Sequence, residues 1–124
     1  MAEGPLARVR RLCRALPEVE EKIAWGAPTF RAGAGGKLFA MFADDHHGDG
    51  RVALWCHAPK GKQEILVHAE PERFFKPPYV GPSGWIGVWL DGKVDWQELE
   101  ELLTDAYRMT APRKLLALLP ESSE

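Results

Sequence analysis

This chain of 124 residues is poor in three things, and each scarcity removes a class of explanation. Cysteine occurs only at Cys13 and Cys56. One falls in an expected helix and the other in an expected strand, so the pair reads as two buried thiols in a reducing compartment rather than a disulfide framework. Without histidine help, two separated cysteines also cannot build a structural zinc site. A basic excess is missing as well: 16 Lys and Arg against 18 Asp and Glu leave a formal net charge of −2. Nucleic-acid binders draw much of their affinity from neutralised phosphates, so any such role here requires a local basic patch. Finally, no apolar run approaches the ~20 residues that a membrane helix needs. The first residues, MAEGPLARVRRLCRALPEVEE, are interrupted by arginines and lack a signal-peptide core, so a cytoplasmic protein is expected.

What is present describes an ordinary globular chain, 45% hydrophobic and 27% charged, with a length that suits one domain over residues 1–124. Leu6, Val9, Leu12, Cys13 and Leu16 recur at helical spacing and predict a helix over Pro5–Leu16, stopped by Pro17. The acidic Glu18–Lys22 follows, and then extended pieces at Ile23–Trp25, Thr29–Arg31 and Lys37–Ala43, with the Gly33–Gly36 stretch as a hairpin turn. A strand is expected at Arg51–His57, a helix at Gln63–Ala69 and a helical turn at Glu72–Phe75 behind Pro71. KPPYVGPSG carries too much proline and glycine for regular structure. A strand at Trp85–Leu90 and a helix from Asp95 to about Met109 complete the chain, and the tail RKLLALLP reads as a short amphipathic turn or a frayed end. Asp95 with Glu98 three residues on is a capping signal, ahead of the stripe Trp96, Leu99, Leu102, Leu103, Ala106 and Tyr107.

Side chains alternate along a strand, so faces can be compared. One set offers Leu38, Ala40, Phe42; Val52, Leu54, Cys56; Ile86, Val88, Leu90. The other offers Phe39, Met41; Trp55; Trp85, Trp89. An α+β fold follows: an antiparallel sheet with helices on its aliphatic face, the aromatic face being partly open or covered by the Pro-rich loop.

LPEVEEKIAWGAPTFR near the start and PERFFKPPYVGPSGWIGVWLDGKVDWQELEELLTDAYRMTAP near the end resemble the MmcQ/YjbR family of small bacterial proteins. The likeness runs from the first helix to Pro112 and is most specific in PPYVGPSGW, LDG and AYRMTAP. It implies a curved antiparallel sheet with helices on one side, similar to CyaY (frataxin-like) proteins and secretion chaperones. It also implies DNA binding through a double-wing motif, and no catalytic residues.

The residues themselves offer two binding surfaces. Arg31 and Lys37 flank the Gly-rich hairpin, Lys60 and Lys62 lie in PKGK, and Arg73 and Lys76 surround RFFK. A hairpin with basic flanks is what a wing would look like, and these six are the candidate phosphate contacts. Trp55, Tyr79, Trp85 and Trp89 could stack on bases. The alternative is a protein- or small-ligand-binding module, with this aromatic face and KPPYVGPSGW as its site. The same residues also fit plain solvated lysines with core or dimer-contact aromatics. The leading expectation is therefore a non-enzymatic DNA-binding protein, with ligand or protein binding as the alternative and no cofactor.

Other motifs carry less. Asp44, Asp45, His46, His47 and Asp49 are cation-binding residue types, but no glutamate closes a calcium frame, and Asp and Gly crowd turns for backbone reasons. PKGKQ lacks the phosphate-loop frame. The acidic groups at Glu18, Glu20, Glu21 and at Glu98, Glu100, Glu101, Asp105 read as solvated faces rather than an iron site. His57 points away from the neighbouring Cys56, Ser83 has no adjacent base, and Ser122 and Ser123 lie in the tail, so no catalytic constellation is expected.

Overall fold

Asp95 caps the longest helix as its position implies: its carboxylate accepts the Glu98 amide at 3.0 Å. In the structure, a computed structural model that describes residues 3–119, four helices and six strands follow from such local signals. The helices are α1 (Pro5–Arg14), α2 (Lys62–Ala69), α3 (Trp96–Thr110) and α4 (Arg113–Leu116). The strands are β1 (Val19–Ala24), β2 (Ala27–Ala32), β3 (Leu38–Asp44), β4 (Val52–Cys56), β5 (Phe74–Phe75) and β6 (Ile86–Trp89). They form one antiparallel sheet in the order β1-β2-β3-β4-β6-β5. Among the described residues no helix is long and apolar enough to cross a membrane. The side chain of His47 and the residues Ser122 and Ser123 lie outside the description.

The aliphatic rows face the helices as the alternation requires. Leu54, Ile86, Val88 and Leu90 share a core with Val9 and Cys13 of α1 and with Leu99, Leu102, Leu103 and Ala106 of α3. Tyr107 ends the α3 stripe inside this core, and its hydroxyl donates to the Pro17 carbonyl at 2.6 Å. Arg8 of α1 lies over the Trp96 ring, 4.4 Å from its centroid, so that indole belongs to the helix layer. Both cysteines are free and buried.

Three expectations need correction. Glu18–Lys22 is not a separate acidic stretch, because β1 starts at Val19. Edge strands tolerate charge, and here the charge is used: Glu21 faces the helices and pairs with Arg10 at 2.8 Å and Arg14 at 3.2 Å. The expected helical turn over Glu72–Phe75 closes only through Arg73, and Phe74–Phe75 then pairs with β6. Phe74 fills the core while Phe75 lies on the opposite face against Trp89, a two-sided burial that a strand provides.

The third correction concerns β3. Phe30 pairs with Ala40 but Arg31 pairs with Leu38, so Phe39 is an extra residue, a β-bulge. The bulge exchanges the faces assigned to two side chains. Phe39 packs among the helices, its ring edge-on to Tyr107 at 5.6 Å. Leu38 packs with the layer on the far side of the sheet. From Ala40 onward the simple alternation is restored.

Candidate functional site

Turned away from the helices, the sheet carries a second apolar layer built on Met41, Ala43, Ala53, Trp55, Trp85 and Ala27. Trp55 and Trp85 are 4% and 5% exposed, so the aromatic face is largely covered, and by loops rather than helices. Three loops contribute. The β1–β2 turn supplies Trp25, the short 3-10 turn His46–Gly48 supplies His46, and the Pro-rich loop supplies Tyr79 and Val80. They enclose a cleft of about 480 Å³ whose sheet side is Leu38, Met41, Trp55 and Trp85.

The rings differ in burial. Trp55 and Trp85 sit deep, while Trp25 and Tyr79 are 77% and 73% exposed and form the mouth. Both mouth residues have left-handed backbone, φ 53° at Trp25 and 66° at Tyr79. A residue with a Cβ costs ~1–2 kcal/mol in that conformation. Trp25 and Gly26 are both at positive φ in a two-residue hairpin turn, a geometry that favours Asn-Gly or Gly-Gly over a bulky ring. His46 stands between the inner and outer rings, 4.7 Å from the Trp55 centroid and 6.2 Å from that of Tyr79.

The Pro-rich wall is pinned from below. Gln63, a buried polar residue of α2, donates its side-chain amide to the carbonyls of Gly81, at 2.9 Å, and of Trp85. The aliphatic stem of Lys76 packs against Gly81, where a Cβ would lie 2.7 Å from its Cγ.

Trp89 belongs to an adjoining hollow of about 320 Å³, which shares His46 and Trp55 with the cleft. It is already engaged on both sides: Phe75 stacks on it at 4.1 Å, and the Arg51 guanidinium lies 3.7 Å from its centroid. Arg51 is itself paired with Asp91 at 2.9 Å. Of the four aromatic candidates, Trp55, Tyr79 and Trp85 therefore come together in the cleft, and Trp89 stands beside it.

The six basic candidates are divided among different elements. Arg73 is held by Glu70 at 2.7 Å and by Glu98 of α3. Lys60 and Lys62 lie in the turn that opens α2, and Lys76 is exposed behind the Pro-rich loop. Arg31 and Lys37 do sit together, joined through the Ala32 amide, which donates to the Lys37 carbonyl at 3.0 Å. Arg31 is the cross-strand partner of Leu38, which lines the cleft, whereas Lys37 lines a separate hollow with Met109, Pro112 and Leu115.

His57 neighbours one of the residues that line the cleft. It follows β4 on the Trp55 side, with its ring 5.3 Å from Trp85. Burial, aided by the nearby Lys37 charge, pushes its pKa below the usual histidine value. Its Nδ1 and the Nε of Arg31 are both buried with no hydrogen-bond partner among the described residues. Cys56, on the opposite face, has its thiol pushed up to about 12 by burial, so it is no nucleophile.

The turn between β3 and β4 uses its acids on its own backbone. Asp45 accepts the Gly50 amide at 2.6 Å and Asp49 accepts the Arg51 amide at 2.8 Å. Among the described residues, no group of three or more His, Cys, Asp or Glu is placed to hold a metal.

Trp25, His46, Leu38 and Met41 were not among the expected site residues. Trp25 carries a usable signal: an apolar residue and a glycine between two extended pieces mark a tight hairpin. His46 carries none, because its position depends on how the loops meet.

This architecture has solved counterparts. A crystal structure of a Deinococcus radiodurans protein with a DUF419 domain superposes with a TM-score of 0.71 at 24% identity, covering 84% of this chain and 76% of that one. A Pseudomonas syringae protein superposes at 0.66 and 15% identity, covering 87% of this chain and 99% of that one. At these identities the likeness is one of fold. No curated protein matches the chain. The model of the YjbR family, however, matches residues 14–109, from the end of α1 through β1–β6 and nearly all of α3. With the helix-backed sheet, the Pro-rich wall and the capped α3 all inside that span, the chain belongs to the YjbR family.

Proposed function

We propose that this protein is a small-ligand-binding module, not a catalyst, and that its site is the aromatic cleft. The supporting observation is the pair of mouth residues, Trp25 and Tyr79, both held in left-handed backbone and both exposed around a cavity of about 480 Å³. Strain kept at two exposed aromatic positions does nothing for the core, and such strain gathers at ligand clamps. A volume of this size, walled by aromatic and aliphatic groups, suits one small molecule. Among the described residues the lining holds His46 but no carboxylate, thiol or lysine to pair with it, which favours binding over bond-making.

Duplex DNA, the partner suggested by family likeness, has weaker support here. Arg73 is already neutralised by two carboxylates, and Lys60 and Lys62 lie on a different element from Arg31 and Lys37. Such a scattered set gives little of the continuous positive track that phosphate contacts require.

The test is a titration with 2-naphthamide, a flat uncharged probe, followed through the indole N–H resonances of Trp55 and Trp85. Saturable shifts that persist at high salt, and that weaken in Tyr79→Ala, are expected. A protein that leaves those resonances unmoved by the amide, yet shifts them with duplex DNA at low salt, refutes the cleft as a small-ligand site.

A further inference from the structure

We propose that the cleft receives a methylated ammonium group, seated at its His46 end among the rings of His46, Trp55 and Tyr79. This rests on the ligand-binding reading above and adds the chemical class of the ligand.

The lining is rich in rings and empty of formal charge. Trp25, Trp55, Tyr79 and Trp85 are four of its eight residues, and among the described residues no Lys, Arg, Asp or Glu joins them. The faces of indole and phenol rings carry negative charge density and attract a cation, most strongly where water is removed. Trp55 is buried, so a group resting on it loses much of its water. A primary ammonium carries three N–H donors, and the lining offers no carboxylate to receive them. A quaternary methylammonium has no N–H to satisfy and surrounds its charge with methyl groups. An anion would meet ring faces of the wrong sign and no cationic side chain in the lining.

The rings also stand at steep angles. His46 is inclined by 64° to Trp55, with the centroids 4.7 Å apart, and by 69° to Tyr79, at 6.2 Å. A flat guest stacks best between parallel rings, whereas rings turned across one another suit a rounded group. The surrounding charge agrees. The adjoining hollow shares His46 and Trp55 with the cleft and is lined by Asp49. Its other charged lining residue, Arg51, is paired with Asp91 and lies 3.7 Å from the Trp89 centroid. This face of the sheet therefore already holds one cation against an indole. Leu38, Met41 and Trp85 line the rest of the cleft and suit an apolar remainder of the ligand.

The experiment compares choline with 3,3-dimethyl-1-butanol, which has the same shape with carbon in place of the charged nitrogen. Affinities come from calorimetry, the indole N–H resonances of Trp55 and Trp85 report the place of binding, and 2-naphthamide reports that the cleft is intact. Choline is expected to bind about tenfold or more tighter than the neutral alcohol. In Tyr79→Leu, which keeps apolar bulk and removes the ring, that preference should shrink by about threefold or more while naphthamide still moves both resonances. Biosynthetic replacement of tryptophan by 5-fluorotryptophan, which nearly preserves shape and weakens the ring faces, should shrink it again. Choline binding no tighter than the alcohol, or a preference unmoved by both changes, overturns the ligand class; naphthamide binding then leaves the cleft reading standing. A short peptide carrying trimethyl-lysine that binds more tightly than choline upholds the head group, with a protein chain as its carrier. No response to choline, to the alcohol or to naphthamide overturns both readings.

Discussion

The ring of Phe75 occupies the space where Gly87 would carry a side chain: a Cβ there would lie 2.3 Å from the ring's Cζ. The two residues are cross-strand partners on β5 and β6, and the same ring stacks on Trp89. Gly87→Ala must displace Phe75 and is expected to destabilise the fold by ~1–3 kcal/mol, measured by urea denaturation. Combined with Phe75→Ala, the added loss should largely vanish, because the clash is then gone.

Trp25 should show function and stability pulling apart. Trp25→Asn puts a residue that tolerates left-handed backbone into the turn. Its thermal midpoint is expected to hold or rise, corresponding to at most ~1 kcal/mol, while the affinity for 2-naphthamide falls. A variant that loses stability and keeps ligand affinity contradicts the clamp role.

Tyr107→Phe removes the hydroxyl that reaches Pro17, 90 residues away in sequence, and leaves the ring against Phe39. A loss of ~0.5–1.5 kcal/mol is expected in denaturant melts, with the spectra of the sheet unchanged.

The pH dependence follows from His57. Its folded pKa lies below the ordinary value of 6.5, so the unfolded chain binds this proton more readily. The stability it contributes is complete above 6.5 and declines as pH falls through 6.5 toward the depressed folded value. His57→Gln should flatten that part of the stability–pH curve, as followed by thermal melts at closely spaced pH.

The two thiols provide a clock for opening. Cys56 is fully buried and its thiol pKa is pushed up to about 12, and burial raises that of Cys13 as well. Neither should react with an aromatic disulfide reagent in the native protein except through unfolding. Their modification rate should therefore track global stability across the variants above.

The frame was legible because it obeys short-range rules. Asp95 and Glu98 fix the start of α3, and Ile86, Val88 and Leu90 fix which side of β6 meets the helices. The division of Trp55 and Trp85 from that side follows from the same alternation. The failures have equally local causes. A bulge is invisible to a period-two count, so Phe39 and Leu38 exchange places. β1 reads as polar because Glu21 meets arginines from another element. The cleft was half legible: its indoles follow from strand periodicity, but Trp25, His46 and Tyr79 meet only because three loops converge. Likewise, the loss of Arg73 to Glu70 and Glu98 depends on a helix 25 residues further along.

The sheet works as a partition. On one side, aliphatic rows and helices keep the molecule folded. On the other, loops wall the cleft that we propose as a ligand site. Substitutions at the mouth can therefore accumulate without putting the scaffold at risk. Relatives that share this backbone at low identity can therefore differ in those loops, and resemblance of frame is a poor guide to what the mouth would accept.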